Sequence, residues 1–211
     1  MTIAKWIAPV KTRALPWRME KDRAPVAEEI DCVVPAGGRS ERMGSWKPML
    51  PLEGMSIIER VVQRALSVCS RVIVVTGYRA TELEAALRGL PRVVTTPNRD
   101  WQLGMFSSIR RGVEAVTTKR FFVTLGDMPW IEPETYQALL RFPQTDVVFP
   151  VFDGVRGHPV LFAGKLKEEI LRADPARGSM RRIAARHSIG ELPWKDDAIL
   201  RDVDTRQDLD A

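Results

Sequence analysis

From residue 30 onward, the chain alternates short apolar blocks with stretches where apolar residues recur every three or four positions. Residues 30–36 read as a buried strand. Over 56–68, Ile57, Ile58, Val61, Val62, Ala65 and Leu66 fall at helical spacing and predict an amphipathic helix. The run 72–76 is a short buried strand ended by Gly77. A second helix covers 81–90, with Glu82 near its start and Gly89 near its end. A strand over 92–95, a helix over 107–116 and a strand over 120–125 follow. Past Pro133 the pattern predicts a helix over 134–141, then apolar runs at 146–152 and 158–162 that can pair through the turn at Asp153-Gly154. Helices over 165–172 and 179–187 and an edge strand over 199–203 complete the series.

Strands that alternate with helices of this length predict an α/β fold, a mainly parallel sheet with helices on both faces. Such sheets bind ligands at the carboxyl ends of strands where the strand order reverses. The loops after the first and fourth strands are therefore expected side by side. Residues 30–211 read as one domain. Residues 1–29 follow neither period: Lys5, Lys11, Arg13 and Arg18 precede any acid, with Pro9, Pro16 and Pro25 among them. That stretch reads as a loosely ordered extension, or as a segment whose Trp6 and Trp17 pack on the domain or a partner.

Composition narrows the class. The chain has 211 residues, 45% apolar and 28% charged, with a net charge of +5 and a pI near 9.5. This suits an anionic small substrate. The basic residues are dispersed, with no block or aromatic motif of the kind that binds RNA, so no nucleic-acid partner is expected. No apolar run reaches membrane-spanning length and no signal-peptide core is visible, which predicts a cytoplasmic protein without a membrane partner. Cys32 and Cys69 lack metal spacing and read as buried reduced thiols.

The chemistry concentrates at Pro35-Ala36-Gly37-Gly38, followed by Arg42 and Lys47. Paired glycines admit an anion to backbone N–H groups, Arg42 offers a bidentate fork, and Lys47 adds a mobile charge. Together they form a candidate triphosphate cradle, against the alternative of a basic surface turn. The stretch matches neither the P-loop nor the dinucleotide fingerprint. Asp127, in Gly126-Asp127-Met128-Pro129, is placed to hold Mg²⁺ beside a triphosphate, or else serves as a turn former. Asp204 is a second metal ligand or a cap for a final turn over 206–209. Asn98, Ser107 and Ser108 precede or open a helix, where they either meet a base or phosphate oxygen or, for the serines, cap the helix. Arg156 and His158 lie in a polar loop between apolar runs and can meet an anionic acceptor. A structural role for the lone His158 is the alternative.

Five of these motifs, in this order, resemble those of the molybdopterin nucleotidyltransferases, within the nucleotide-diphospho-sugar transferase-like superfamily. Ala36-Gly37-Gly38 through Arg42-Met43-Gly44 and Lys47 is similar to that family's signature loop, and Gly126-Asp127-Met128-Pro129 to its metal loop. Gly104-Met105-Phe106-Ser107-Ser108, Arg156-Gly157-His158-Pro159-Val160 and Val203-Asp204-Thr205 are similar to the cytidylyltransferase branch. Ala36-Gly37-Gly38 itself is closer to the guanylyltransferase branch, and Trp46 stands where an Asp often precedes the signature lysine.

The resemblance implies a three-layer Rossmann-like fold of nucleotidyltransferase type. It also implies Mg²⁺-dependent transfer of CMP from CTP to a molybdopterin phosphate, with pyrophosphate released, in molybdenum cofactor maturation. Arg42, Lys47 and Asp127 would be catalytic, with Asp127 and Asp204 on the metal. Pro35, Ala36, Gly37, Gly38, Arg42, Lys47, Asn98, Ser107 and Ser108 would bind nucleotide, and Arg156 and His158 the acceptor. GTP as donor or a sugar phosphate as acceptor stays open within the class. Outside it stands a carrier that hands a nucleotide-like cofactor to a molybdoenzyme or its chaperone without catalysis.

Overall fold

The computed structural model describes residues 28–39, 46–205 and 208. In chain order its elements are β1 (Asp31–Pro35), β2 (Pro51–Leu52), β3 (Met55–Ser56), α1 (Ile57–Leu66), β4 (Arg71–Thr76), α2 (Ala80–Leu87), β5 (Val93–Pro97), α3 (Met105–Glu114), β6 (Arg120–Val123), α4 (Pro133–Arg141), β7 (Val147–Phe152), β8 (Val155–Arg156), β9 (Val160–Ala163), α5 (Lys167–Arg172), α6 (Met180–Ala184) and β10 (Ile189–Pro193).

The near-continuous apolar runs of β1 and β4 cannot face water on either side, and they pair in parallel inside the sheet, Val33 opposite Ile73. The full order is β10-β7-β9-β6-β1-β4-β5, with β8 added to β7. Alternate side chains point to opposite faces. Cys32, Val34, Val74 and Phe122 pack on one side against Ile58, Val62, Leu83 and Leu139 from α1, α2 and α4. Val33, Ile73, Phe121 and Val123 pack on the other against Ile109, Val113, Ile170 and Ile183 from α3, α5 and α6. The predicted three layers are present. Only β8 and β9 run antiparallel within this sheet.

The chain leaves β1 for β4 and β5 on one side, then crosses back to β6 on the other. That reversal sets the carboxyl ends of β1 and β6 side by side, as expected. Nearby, α1 starts with a capping box: Ser56 N–H donates to Glu59 Oε2 (2.8 Å), and Ser56 Oγ accepts from Glu59 N–H (3.4 Å).

Three expectations are corrected. Residues 199–203 form no strand: a 3-10 turn covers Asp197–Ile199, and the following backbone bonds to loops. The Ile199 carbonyl accepts from His158 N–H (2.9 Å), and Val203 N–H donates to the Asp127 carbonyl (2.8 Å). The edge strand is instead β10, hidden in sequence because Gly190, Glu191 and Pro193 dilute its apolar pattern; its parallel ladder to β7 makes it a strand. Second, the turn at Asp153-Gly154, with φ of 49° and 75°, joins β7 to the short β8. The run at 158–162 contributes β9, which does pair with β7 as expected, but at its other end and not directly through that turn, and also with β6. Third, the helix expected at 107–116 starts at Met105, directly after Gly104 at φ 104°.

Cys32 and Cys69 are buried and free of any disulfide, as expected. No helix among the described residues is long and apolar enough to cross a membrane. The extension expected over 1–29 lies outside the described residues up to position 27. At its end, Glu28 receives the Arg120 guanidinium (2.5 Å).

Candidate active site

At the carboxyl end of β1 the backbone continues as Ala36–Gly38, with Ala36 N–H on the Val75 carbonyl (2.9 Å) and the Gly37 carbonyl accepting from Tyr78 N–H (3.0 Å). This loop lies against the loop after β4 so closely that a Cβ on Gly37 would stand 3.2 Å from the Gly77 backbone. Gly77 in turn is covered by Trp101: a Cβ there would meet the Trp101 side chain at 2.7 Å and the Gly37 carbonyl at 2.8 Å. Three loops, after β1, β4 and β5, thus stack only because two side chains are missing.

They wall a cavity of about 440 Å³ lined by Pro35, Ala36, Gly37, Gly38, Arg39, Lys47, Trp101, Ser108 and Asp127, among others. Lys47 opens a 3-10 turn, Lys47–Met49, in which Pro48 fixes the next φ and Leu50 N–H returns to the Lys47 carbonyl (3.0 Å). Its side chain is 8% exposed. Nζ donates to Asp204 Oδ1 at 2.5 Å and lies 3.9 Å from Asp127 Oδ2. Asp127 follows β6 through Gly126, and its carbonyl takes the Val203 N–H, so the two acidic segments are tied by their backbones. Val203 is anchored in a small apolar cluster with Leu52 and Ile57.

Burial pushes the Asp127 carboxyl up to about 6; Lys47 offsets part of this, while Asp202 and Asp204 add to it. Burial, with Asp204 next in effect, also raises Asp202, whose buried Oδ2 has no hydrogen-bond partner among the described residues. Carboxylates gathered in a buried site are what a divalent ion relieves. Two carboxylates beside a cavity of this size suit an ion that completes its shell with water and ligand oxygens. Among the described residues no group of three or more metal-ligating side chains occurs, so the protein itself offers only a partial shell.

Pro35, Ala36, Gly37, Gly38, Lys47, Ser108 and Asp127 therefore meet in one cavity, and Asp204 reaches its floor through Lys47. Asn98 and Ser107 stand behind it. Asn98 Nδ2 donates to Ser107 Oγ (3.0 Å) and Ser108 Oγ (3.1 Å), all three residues being buried. Neither serine caps the helix, because α3 starts two residues earlier with Gly104 at its N-cap; Ser107 Oγ donates to the Gly104 carbonyl (2.7 Å). Arg42 lies outside the described residues. So do Arg206, Gln207 and Leu209 of the expected final turn, although Asp208 accepts from the N–H groups of Asp204 (2.9 Å) and Thr205 (2.6 Å). Trp46 is buried edge-on to Tyr78, with the Arg79 guanidinium 4.8 Å above its ring.

Arg156 and His158 line a second cavity of about 400 Å³, more apolar, which shares Met105 and Leu125 with the first. Arg156 is fixed by Glu191 (2.6 Å) and lies 5.0 Å from the Phe149 ring centroid. Burial pushes the His158 imidazole down to about 4, against a weak pull from the Val123 carbonyl at 3.5 Å, so it is neutral at pH 7. The periodicity pointed to none of Arg39, Trp101, Arg181 and His187, which also line these cavities. For Arg39 and Trp101 the available signal was an aromatic residue shortly after Asn98 and an Arg directly after the glycine pair.

Comparison with known proteins gives the family and the fold. The sequence profile described as a MobA-like NTP transferase domain matches residues 32–191. The molybdenum cofactor cytidylyltransferase of Escherichia coli (strain K12) is 33% identical over 181 residues, covering 85% of this chain and 93% of its own. A probable molybdenum cofactor guanylyltransferase of Natranaerobius thermophilus is 26% identical over 138 residues, 61% of this chain and 63% of its own. Among solved structures, Rv0371c from Mycobacterium tuberculosis H37Rv superposes with a TM-score of 0.75 at 25% identity, covering 88% of this chain and all of that one. The same protein has also been solved in complex with manganese.

Proposed function

This chain belongs to the family of MobA-like NTP transferase domains and is a nucleotidyltransferase, and we propose that it moves CMP from CTP to the terminal phosphate of molybdopterin. The observation that carries this reading is Lys47 Nζ set between Asp204 and Asp127 at the reversal of strand order, facing the Gly37-Gly38 loop. A phosphate acceptor needs no base, since it is already ionised at pH 7, and the neutral His158 is consistent with that. An acceptor oxygen attacks the α-phosphorus, a new P–O bond forms, the bond to the bridging oxygen breaks, and pyrophosphate leaves with the electron pair.

Catalysis of this kind rests on alignment and charge cancellation. In this assignment the Gly37-Gly38 backbone and Lys47 receive the triphosphate, with Arg42 as a further cation. Ser108, oriented by Asn98, meets the nucleotide, and the cavity containing Arg156 and His158 takes the acceptor. Asp127 and Asp204 would hold Mg²⁺, which when bound supplies charge neutralisation at the phosphates. The manganese complex of a similar protein supports a divalent ion here. A non-catalytic carrier does not fit a member of this enzyme family.

The test is pyrophosphate release with molybdopterin and Mg²⁺, comparing CTP with GTP. CTP is expected to support turnover, and Asp127→Asn to lower it by about a thousandfold or more. Undiminished turnover in Asp127→Asn would remove the metal assignment. GTP is retained as second donor because Ala36-Gly37-Gly38 follows the guanylyl pattern and a guanylyltransferase is among the relatives. Turnover with GTP alone would move the chain to that branch.

A further inference from the structure

The placement of Lys47 creates a conflict that its phosphate role leaves unresolved. Its ammonium is 2.5 Å from Asp204 and 3.9 Å from Asp127, against the same two carboxylates that would hold a divalent ion. An ion bonded to carboxylate oxygens at about 2 Å cannot share that space with an ammonium. Two cations so close also repel strongly in a site this buried. One of the three groups has to move.

The backbone decides which. Asp127 and the segment carrying Asp204 are locked together by the Val203 N–H on the Asp127 carbonyl, with Val203 buried beside Leu52 and Ile57. The Lys47 main chain is held by the turn that returns Leu50 N–H to its carbonyl, and its side chain reaches from there to Asp204. Its four-carbon stem can swing its charge while the backbone stays in place. The cavity lined by Gly37 and Gly38 opens beside it.

We propose that Lys47 is a resident cation: in the free protein it holds the Asp127–Asp204 pair together and blocks the metal position, and it gives that position up only when a polyphosphate draws it away. The proposal rests on the nucleotidyltransferase reading for the identity of the polyphosphate. It makes metal loading conditional on nucleotide, so the site is not filled by metal alone. It also sets one cation between Asp127 and Asp204 in the free protein.

The first test needs no nucleotide. Mn²⁺ affinity of the full chain is measured by electron paramagnetic resonance of free Mn²⁺, for the unmodified protein, Lys47→Met and Lys47→Gln. Removing the resident charge is expected to tighten Mn²⁺ by about tenfold or more. Adding Asp127→Asn to Lys47→Met should abolish that gain. Equal or weaker Mn²⁺ binding by the folded variants overturns the proposal.

A second test uses the unmodified chain, in case either variant fails to fold. The Lys47 Cε resonance, in protein labelled with ¹³C-lysine, is followed on adding Mg²⁺ alone and then Mg²⁺ with inorganic tripolyphosphate. It should stay in place in the first case and shift in the second. A full shift with Mg²⁺ alone, or none with both, overturns the exchange. The failures are separable: if CTP and GTP both fail to bind, the Mn²⁺ comparison still stands, whereas unchanged Mn²⁺ affinity with CTP binding intact sinks only the exchange.

Discussion

Arg39 lines the cavity proposed for the triphosphate, with its guanidinium 5.0 Å from the Trp101 ring centroid and 5.6 Å from that of Tyr78. A flat, weakly hydrated guanidinium gains from stacking where an ammonium would not. The two rings belong to different loops, and together they hold Arg39 at the edge of that cavity. Arg39→Ala is expected to weaken triphosphate binding about tenfold in calorimetry, with Arg39→Lys restoring only part of it. Equal affinity in Arg39→Ala would exclude a phosphate role. Asn98 is the second such residue. It donates to two buried serines at once, and Asn98→Ala leaves both hydroxyls short of a donor, for an expected loss of about 1–3 kcal/mol in urea unfolding. Residue type and spacing nominated Asn98, Ser107 and Ser108 together, but not that one serves the other two. Side-chain donors are assigned by distance in three dimensions, and sequence carries no such distance.

At the scale of elements, α3 presses its Gly112 onto the sheet between Val33 and Val75. A Cβ there would come within 2.4 Å and 2.8 Å of their methyl carbons. Gly112→Ala would favour the isolated helix by about 1 kcal/mol. Overpacking against two stiff β-branched side chains costs about 1–3 kcal/mol. The net expectation is destabilisation, read as a lower denaturation midpoint; a higher midpoint would mean that the valines retreat. The periodicity of α3 was plain in the sequence, yet its start was misplaced because Gly104 and the buried Ser107 interrupt the apolar pattern. The edge strand was misplaced for a related reason. An edge is created by a partner strand, and β10 with its Gly, Glu and Pro becomes a strand through the ladder of β7.

Across the whole molecule, Asp31 joins the amino ends of β1 and β4 to the loop before β6. It accepts from Arg71 Nε (2.9 Å), Arg71 Nη2 (2.9 Å) and Thr117 N–H (2.8 Å), while 1% exposed. Burial alone would raise its carboxyl; the bonds from Arg71 and Thr117 outweigh that and hold it below the usual range. A folded value below the unfolded one, about 3.9, means that ionised Asp31 stabilises the protein above that pH. The contribution is lost as pH falls through the folded value. Asp31→Asn is expected to cost about 2 kcal/mol at pH 7 and to flatten the fall in stability below about pH 4, followed by denaturation at several pH values. An unchanged acid limb would assign it to other carboxylates.

The sequence alone determined the alternation of strands and helices and hence the sheet with two covered faces, because burial periodicity is a local property of the chain. It also nominated the glycine pair, Lys47 and Asp127, because backbone freedom and charge type are carried by single residues. Tertiary structure alone decided that Lys47 pairs with Asp204 from 157 positions away, that three loops stack through Gly37, Gly77 and Trp101, and that Arg156 and His158 face a second cavity. Those facts depend on which strand ends the fold makes neighbours, and that is settled when the whole sheet closes around its core.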